Sequence, residues 1–319
     1  MSYLIWAISS ALVAAAIIAV MLRSGRTGPL DRPNERSLHA TPIPRSGGVG
    51  IMAGVALGMV AAPPEPSIVA GMVLLAVVSW LDDRRSLPIL IRFASHVIAA
   101  ILSLATMDWG WLGLMAAVFL IVWMANLYNF MDGANGLAGG MAAFGFGAYA
   151  VAAAMADKAP LALLATCVAA AALGFLLFNF DPARIFMGDV GSIPLGFLAA
   201  VLGLRGVRVD AWPLWFPILV FSPFIVDATV TLLKRAARGE KFWQAHREHY
   251  YQRLIRSGWS HRRLALTAYF LMLATAGSAC LLIAAPRVVQ ALVFGSWAWI
   301  YALLMRSIDR RLAVTSLIR

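Results

Sequence analysis

The composition of this 319-residue chain excludes a soluble globular protein. Hydrophobic residues make up 61% of it and charged residues only 13%, whereas soluble domains carry about 25% charge. A net charge of +11 in so apolar a chain indicates cations that set membrane topology and contact lipid headgroups, so we expect no nucleic-acid partner. The two cysteines, Cys167 and Cys280, predict neither a disulfide framework nor a zinc site.

Apolar runs long enough to cross a bilayer recur along the whole sequence. They predict an all-α integral membrane protein of about eleven transmembrane helices, in a single domain covering residues 1–319. The first run, Tyr3–Leu22, follows no charged residue and precedes no clean small-residue cleavage site, so it is interpreted as a retained span. The second, third and eighth runs are the shortest. The predicted spans are 3–22, 47–62, 67–81, 89–107, 109–125, 138–156, 160–178, 192–206, 212–233, 264–285 and 288–305.

The distribution of cations predicts the orientation of these spans. If the N-terminus lies outside, in the periplasm, the inside segments hold 22 of the 26 Lys and Arg residues. Only Lys158, Arg205, Arg208 and Arg287 then remain outside. The positive-inside rule favours this arrangement, which places every chemically rich loop on the cytoplasmic side.

The first inside loop, residues 30–48, contains too many prolines to form a continuous helix. Its Arg36, His39 and Arg45, together with the glycine pair Gly47–Gly48, are suited to gripping phosphate, because a guanidinium binds phosphate in a bidentate manner. The alternative is a solvated basic loop that only sets topology.

Two adjacent carboxylates, Asp82 and Asp83, stand at the end of the third span. Acidic residues contribute little to topology and are unfavourable at the bilayer edge, so a pair of them indicates chemistry. Such a pair suits magnesium binding or proton removal, because each carboxylate makes the other a better proton acceptor. The alternative is a salt bridge with the two arginines that follow. Arg92 and His96, four residues apart, share one face of the next helix in a structural or a catalytic role.

The stretch 126–140 lies between two apolar runs and combines amides, one carboxylate and four glycines. Asn126, Asn129 and Asp132 are spaced by three residues, which places them on one face if the segment is helical. Glycine lets backbone N–H groups approach a ligand, and Asn and Asp oxygens can hold a hard cation. The pattern predicts a membrane-surface site for a phosphorylated, metal-bound substrate. The alternative is a polar turn between two spans.

Two further aspartates stand out later in the chain. Asp189 lies just before a predicted helix, flanked by glycines and close to Ser192, where N–H groups at a helix N-terminus suit metal and phosphate. An N-terminal cap is the simpler interpretation. Asp227 lies inside the ninth span after Pro223. It is either functional, as intramembrane carboxylates usually are, or bonded to backbone groups that the proline frees.

The last inside loop, residues 234–256, is the longest and most basic. Its His246 and His249 are three residues apart and would share a helical face with Arg253. Two histidines without a third ligand are a weak zinc signal. Contact with substrate phosphate is therefore the interpretation that fits this loop better.

Taken in order, these motifs closely resemble the polyprenyl-phosphate N-acetylhexosamine-1-phosphate transferase family (glycosyltransferase family 4). The resemblance runs across five separate loops, which makes it far more specific than any single motif. The matching segments are Pro33–His39, Pro44–Gly48, Asp82-Asp83, Asn126-x-x-Asn129-x-x-Asp132-Gly133, Phe186–Ser192 and His249-x-x-x-x-Leu254.

The resemblance implies a reaction, a cofactor and a location. A sugar 1-phosphate would move from a UDP-N-acetylhexosamine donor to undecaprenyl phosphate, with Mg²⁺ and with release of UMP. The enzyme would be a multi-pass protein of the bacterial inner (plasma) membrane with its active site on the cytoplasmic face, and the family suggests a homodimer. The chemistry agrees, because attack of one phosphate on another is anionic and needs a metal and cations to offset charge.

Carried over residue by residue, the resemblance assigns roles to the aspartates and to the last loop. Asp189 takes the position of the magnesium ligand. Asp82 takes that of the residue that deprotonates the lipid phosphate, with Asp83 as its metal-side neighbour. His249 takes the position that contacts the donor diphosphate. The nucleotide site would be lined by Asn126, Asn129 and Asp132.

Two departures from the family pattern indicate a branch. Asn135 stands where the family often has Asp, so a contact with the nucleoside there is left open. Tyr250 and Tyr251 stand where other branches carry more histidines. With Arg45–Gly48, the chain resembles the O-antigen-initiating branch of lipopolysaccharide biosynthesis. A phospho-N-acetylmuramoyl-pentapeptide transferase of peptidoglycan synthesis is the alternative.

Two other functions compete with the transferase. A transporter would also be a polytopic membrane protein, but transporter sites lie near the bilayer midplane, often between repeated halves. Here the polar residues lie at helix ends on one side and no repeat is visible. A hydrolase of lipid diphosphates is distinguished from a transferase by whether UMP release depends on added lipid phosphate.

Overall fold

The computed structural model describes residues 2–31, 42–105, 110–241, 244 and 246–317, and these residues are mostly helical. Two short strands, β1 (Leu30–Asp31) and β2 (Ile43–Pro44), pair in antiparallel fashion. The helices are α1 Ser2–Ser24, α2 Gly47–Ala61, α3 Pro66–Arg85, α4 Ile89–Leu104, α5 Trp111–Phe130, α6 Leu137–Met155, α7 Ala159–Asn179, α8 Asp189–Arg208, α9 Trp215–Val220, α10 Ser222–Ala237, α11 Tyr250–Arg256, α12 His261–Leu282 and α13 Arg287–Leu317.

The all-α membrane fold is confirmed, and each predicted span contains a helix, but a count of eleven spans is not confirmed. Among the described residues, eight helices are long and apolar enough to cross a membrane. α2 and α4 are apolar but have only 15 and 16 residues, fewer than the ~20 that a span needs. The predicted span 212–233 is divided into α9 and α10, because Pro223 has no N–H to continue the preceding helix.

The eighth predicted span, one of the shortest in the sequence, is the most deeply buried of the eight. In α8, 89% of the apolar stretch is buried, and the helix packs against α2, α3 and α5. Glycine permits this close approach: a Cβ on Gly196 would lie 2.5 Å from the carbonyl oxygen of Met124 on α5. The packing holds the N-terminus of α8 where α3 and α5 end.

The last helix, α13, lies at the edge of the bundle, with only 6% of its apolar stretch buried. Polar contacts join α13 to α9 and α10, the two helices of the divided span. The Trp215 indole N–H donates to the Gln290 side chain at 3.0 Å, and the hydroxyls of Ser222 and Tyr301 lie 2.7 Å apart. Near its C-terminal end, Asp309 pairs with cations of α10 and α11.

The helix ends that carry the predicted motifs meet at one end of the bundle. The N–H of Gly48 donates to the carbonyl of Met187 at 2.8 Å, which joins α2 to the loop before α8. Asp83 of α3 contacts the first turn of α8. The Tyr251 hydroxyl donates to the carbonyl of Phe130 at 3.0 Å, which joins α11 to α5. Residues far apart in the chain therefore form one polar region.

Candidate active site

Four aspartates interact electrostatically where α3, α5 and α8 meet, and we call them the four-aspartate cluster. Asp189, the first residue of α8, interacts electrostatically with Asp82 and Asp83 of α3 and with Asp132 in the turn between α5 and α6. Asp82 and Asp83 are buried. Several acids so near one another repel when all are ionised, so the arrangement is suited to receiving a cation or a proton.

Asp83 caps the N-terminus of α8 from the neighbouring helix. The residue that precedes α8, Gly188, has no side chain with which to cap it and has a left-handed φ of +71°. The N–H groups of Asp189 and Val190 instead donate to the Asp83 carboxylate, that of Val190 over 3.4 Å. A negative charge here is stabilised by the helix dipole. The cap fixes the backbone of Asp189.

Arg45 joins the first inside loop to this cap. Its Nη2 donates to the backbone carbonyl of Asp83 at 2.9 Å, and its Nε lies 3.4 Å from Asp83 Oδ1. The Arg45 side chain is still 35% exposed, so one edge of the guanidinium can meet a phosphate. Arg36 and His39, predicted from the same loop, lie outside the described residues.

The glycine pair of this loop has a structural role in place of the predicted contact with phosphate. The N–H groups of Gly47 and Gly48 donate at 2.8 Å to two carbonyls of the loop before α8, so they are already bonded. A Cβ on Gly48 would lie 2.3 Å from the backbone nitrogen of Gly191. The glycines therefore let the N-termini of α2 and α8 touch.

Asp82 is held by one neutral and one charged donor. Its Oδ1 accepts the N–H of Leu87 at 2.6 Å, and its Oδ2 pairs with Nη1 of Arg92 at 3.2 Å. The alternative considered from the sequence was a salt bridge with the two following arginines, whereas the partner of Asp82 is Arg92 of α4. Of the two arginines that follow the aspartates, Arg84 lies over the Trp80 ring at 4.0 Å.

The spacing of Asn126, Asn129 and Asp132 predicted that they share one helical face. The structure shows that they do not. α5 ends two residues before Asp132, which lies in the following turn. Asn129 faces α8, where its Oδ1 lies 2.9 Å from the hydroxyl of Ser192. Asn126 contacts α4 instead, with its Nδ2 3.2 Å from His96 Nδ1. Asn129 and Asp132 therefore border α8, and Asn126 borders α4.

The environment of Asp132 favours its protonated form. Burial raises the pKa of Asp132 well above its usual value, and the carboxylates of Asp189 and Asp83 raise it further. The N–H of Gly188 acts in the opposite direction. A cation among these carboxylates would invert the balance, so the ionisation of Asp132 depends on what the cluster holds.

Asn135 stabilises the turn between α5 and α6 through hydrogen bonds to distant residues. Its N–H donates to Nδ1 of His261 at 3.1 Å, and its Nδ2 donates to Oδ1 of Asp181 at 2.9 Å. The N–H of Gly136 donates to Oδ1 of Asn179 at 2.9 Å. An aspartate at position 135 would face Asp181 and repel it, which gives this departure from the family pattern a structural reason. Asn179 was not singled out in the sequence.

The last loop reaches the same end of the bundle through α11. His249 is buried, and its ring lies over Phe130, the last residue of α5, with centroids 6.2 Å apart. The ring of His246 is 4.8 Å from that of His249. Both histidines precede α11, so the prediction of a helical face shared with Arg253 is wrong. Arg253 pairs with Asp309 of α13 at 2.7 Å.

The loop before α11 is shaped by ion pairs. The buried Arg235 pairs with Glu240 at 2.8 Å and also with Glu248. Burial, helped by the neighbouring His249 and Arg235, lowers the pKa of His246 to about 4. His246 is therefore neutral at ordinary pH and contributes hydrogen bonds without a charge.

Asp227, whose role the sequence left open, contacts α11. Its carboxylate accepts the N–H of Tyr250 at 2.8 Å and that of Tyr251 at 3.0 Å. Its backbone partners thus lie in another helix and are not groups freed by Pro223. A lone carboxylate inside an apolar span was the only signal for this residue in the sequence.

Comparisons with known proteins identify the family. The family model described as Glycosyl transferase family 4 matches residues 66–207. A protein of Bacillus subtilis (strain 168), "Probable undecaprenyl-phosphate N-acetylglucosaminyl 1-phosphate transferase", is 31% identical over 268 residues, which cover 77% of this chain and 75% of that protein. The chain belongs to the polyprenyl-phosphate hexosamine-1-phosphate transferase family.

Two further relatives show how far the similarity to this transferase family extends. A Mycobacterium tuberculosis (strain ATCC 25618 / H37Rv) protein, "Decaprenyl-phosphate N-acetylglucosaminephosphotransferase", is 27% identical over 332 residues, 87% of this chain and 81% of that protein. A "Phospho-N-acetylmuramoyl-pentapeptide-transferase" of Bacillus pumilus (strain SAFR-032) is 32% identical over 164 residues, 50% of this chain and 48% of that protein. The predicted family is confirmed.

The donor atoms of the cluster in this transferase suit a hard cation. Among the described residues, no group of three or more His, Cys, Asp or Glu side chains is arranged to hold a metal ion by itself. Asp189 and Asp132, with the amide of Asn129, offer oxygen donors. Mg²⁺ usually takes one or two carboxylates and completes its shell with waters and substrate phosphates. Asp83 is already engaged by α8, so Asp189 is the more available ligand.

Proposed function

We propose that this family member transfers N-acetylglucosamine 1-phosphate from UDP-N-acetylglucosamine to undecaprenyl phosphate and releases UMP. The observation that carries the proposal is the four-aspartate cluster at one end of a bundle of membrane-length helices, with Arg45 and Arg92 beside it. Carboxylates and guanidinium groups at one place suit a reaction between two phosphates. The relatives matched over most of their length are named for N-acetylglucosamine, which supports this donor sugar.

On the acceptor side, we propose Asp82 as the group that takes the proton of the lipid phosphate. Arg92, whose Nη1 lies 3.2 Å from Oδ2 of Asp82, orients this carboxylate. The second pKa of a phosphate monoester is about 6, so removal of this proton produces the more nucleophilic dianion. The leaving group on the donor is UMP.

On the donor side, Asp189 and Asn129 would hold Mg²⁺, which would offset the charge of the diphosphate. Asp83 orients Asp189 by capping α8. The exposed edge of the Arg45 guanidinium would bind a phosphate oxygen. His249, beside the end of α5, would contact the donor diphosphate.

The location we propose is the inner membrane of a bacterium, with the cluster on the cytoplasmic face. Support comes from the predominance of cations in the loops at this end and from the reaction itself, because a water-soluble donor and a membrane acceptor meet only at the membrane surface. A homodimer stays a prediction. Membership of a transferase family disfavours the transporter that was considered as the competing function.

We further propose that the lipid product starts a cell-surface polysaccharide. Assignment to O-antigen rests on Arg45–Gly48 and on Tyr250 and Tyr251, which resemble that branch. The peptidoglycan alternative has less support, because the pentapeptide transferase matches only about half of each chain.

A product analysis tests the proposal. Purified protein in detergent is incubated with Mg²⁺, undecaprenyl phosphate and, in separate reactions, UDP-N-acetylglucosamine, UDP-N-acetylgalactosamine or UDP-N-acetylmuramoyl-pentapeptide, and the lipid product is weighed by mass spectrometry. We expect a lipid diphosphate carrying N-acetylglucosamine. A lipid carrying phospho-N-acetylmuramoyl-pentapeptide would support the peptidoglycan alternative, and UMP formed without added lipid phosphate would indicate a hydrolase.

A further inference from the structure

Asp227 is a buried acid on α10 whose carboxylate is turned toward the start of α11. Its Oδ1 accepts the N–H of Tyr250 at 2.8 Å, and its Oδ2 accepts the N–H of Tyr251 at 3.0 Å. The hydroxyl of Thr231, one turn later on α10, lies 3.3 Å from Oδ1. Both oxygens are thus used, and the two N–H groups are the first of α11.

The seven residues of α11 are too few to form a stable helix alone, because a helix needs about 12–15 residues to persist in water. The first N–H groups of a helix have no partner within it. Asp227 supplies two acceptors and a negative charge at the positive end of the helix dipole. The start of α11 is therefore fixed from outside, by a helix that precedes it by more than ten residues.

His249 immediately precedes these two tyrosines, so its position follows from theirs. Its Nδ1 lies 3.5 Å from Asp227 Oδ1. Its ring lies over Phe130 with an interplanar angle of 23°, and the Tyr251 hydroxyl bonds to the Phe130 carbonyl. The same contacts thus set the start of α11, the imidazole and the end of α5, two residues before Asp132.

We infer that Asp227 is a positioning residue, which holds the start of α11 so that His249 lies against the end of α5, beside the site of the donor diphosphate. The part of the inference that concerns the donor diphosphate rests on the proposed function, whereas the part that concerns the position of His249 rests on the contacts alone. Removing one of two hydrogen bonds to a charged acceptor forfeits about 1.5–3 kcal/mol, which is on the order of tenfold to a hundredfold in the population of the correct arrangement.

Asp309 of α13 provides a matched control, because it is also an acid that contacts α11. It pairs with Arg253 at 2.7 Å and lies 3.1 Å from the Tyr250 hydroxyl. These contacts hold the side chains of α11 and leave its first N–H groups untouched. Asp309→Asn therefore loosens α11 without removing the cap at its start.

The first experiment is independent of activity. In a Cys167→Ala/Cys280→Ala background, the pair Phe130→Cys/His249→Cys is oxidised, and disulfide formation is followed by gel shift. We expect the two cysteines to cross-link readily when Asp227 is unchanged. The rate of cross-linking should fall on the order of tenfold in Asp227→Asn and change little in Asp309→Asn. Should Asp227→Asn fail to give folded protein, Thr231→Val is used, with a smaller loss expected. Equal cross-linking in all variants would overturn the inference.

The second experiment measures activity and uses the enzyme without the two introduced cysteines. Asp227→Asn should raise the KM for UDP-N-acetylglucosamine about tenfold, and Asp227→Asn/His249→Ala should be no worse than His249→Ala, because both act through the same imidazole. By contrast, the changes in KM caused by Asp309→Asn and by His249→Ala should multiply in the double variant. If the changes caused by Asp227→Asn and His249→Ala also multiplied, the inference would be overturned. If cross-linking behaves as expected but no sugar phosphate is transferred, the proposed function fails and the positioning role stands.

Discussion

Replacing Gly188 by alanine tests whether the junction of Arg45, Asp83 and α8 sets the geometry of the site. Gly188 has a φ of +71°, and a Cβ added there would lie 2.3 Å from the carbonyl oxygen of Arg45 and 3.1 Å from Asp83 Oδ2. Real Cβ atoms do not approach closer than 3.0 Å. The first turn of α8 or the first inside loop must therefore move by about 0.7 Å, the difference between 3.0 and 2.3 Å.

The expected loss follows from this displacement. The backbone conformation of Gly188, with φ +71° and ψ 172°, by itself costs a non-glycine residue about 1–3 kcal/mol. Asp189 is the next residue, and a misplacement of about 1 Å lowers a rate by roughly 100-fold. We therefore expect Gly188→Ala to lower turnover by about 30- to 100-fold, more than its effect on stability would suggest.

Alanine substitutions at two other glycines separate the effect of the backbone conformation from the effect of the clash. Gly25 has a similar φ of +66° but nothing within 4 Å of an added Cβ, so Gly25→Ala places a side chain at a positive φ without the clash. Gly147 lies within α6 and is also open, so Gly147→Ala should stabilise the helix by up to about 1 kcal/mol. Turnover is measured as transfer of radiolabelled N-acetylglucosamine 1-phosphate to lipid, and stability as Tm in detergent. Gly188→Ala turning over as fast as Gly25→Ala would refute the reasoning.

Further predictions concern ion binding, topology and the turn between α5 and α6. Asp189→Glu should raise the Mg²⁺ concentration needed for half activity, whereas Asp82→Asn should leave it unchanged and regain part of its rate at high pH, where the acceptor phosphate is already dianionic; damage that does not vary with pH would exclude the base role. A cysteine replacing the exposed Ser86 should react with an impermeant reagent only from the cytoplasm, and one replacing the exposed Ala159 only from the periplasm; the reverse would invert the topology. Asn135→Asp places a second carboxylate beside Asp181, so the introduced carboxyl group has a higher pKa in the folded protein than in the unfolded chain. The variant should therefore have a lower Tm than the wild type at about pH 8, and the difference should fade as the pH falls toward about 4. A Tm difference that does not vary with pH would contradict this.

The helices and the convergence of the motifs were predictable because their signals are local and strong. Long apolar runs place the helices, and glycines or polar residues mark where they end. The spacing of Asn126, Asn129 and Asp132 was less informative, because α5 ends before the last of them. Periodicity alone does not show where a helix stops.

The supporting contacts were not predictable, because they join residues far apart in the chain. Asn135 bonds to Asp181, 46 positions away, and Asp227 bonds to Tyr250, 23 positions away. In the sequence, Asn135 was only a departure from a family pattern and Asp227 only an acid in a span. The glycine pair of the first loop was ambiguous for a similar reason, since glycine serves both ligand approach and helix contact.

UMP release is the measurement that tests the central claim most directly, compared with and without undecaprenyl phosphate for the wild-type enzyme and Asp189→Asn. The wild type should release UMP from UDP-N-acetylglucosamine only when the lipid is present, in equal amount to the lipid product. Asp189→Asn should lower that release by at least about 100-fold while keeping the wild-type Tm. Release that needs no lipid, or an Asp189→Asn enzyme as active as the wild type, would contradict the assignment of the four-aspartate cluster as the site of sugar-phosphate transfer.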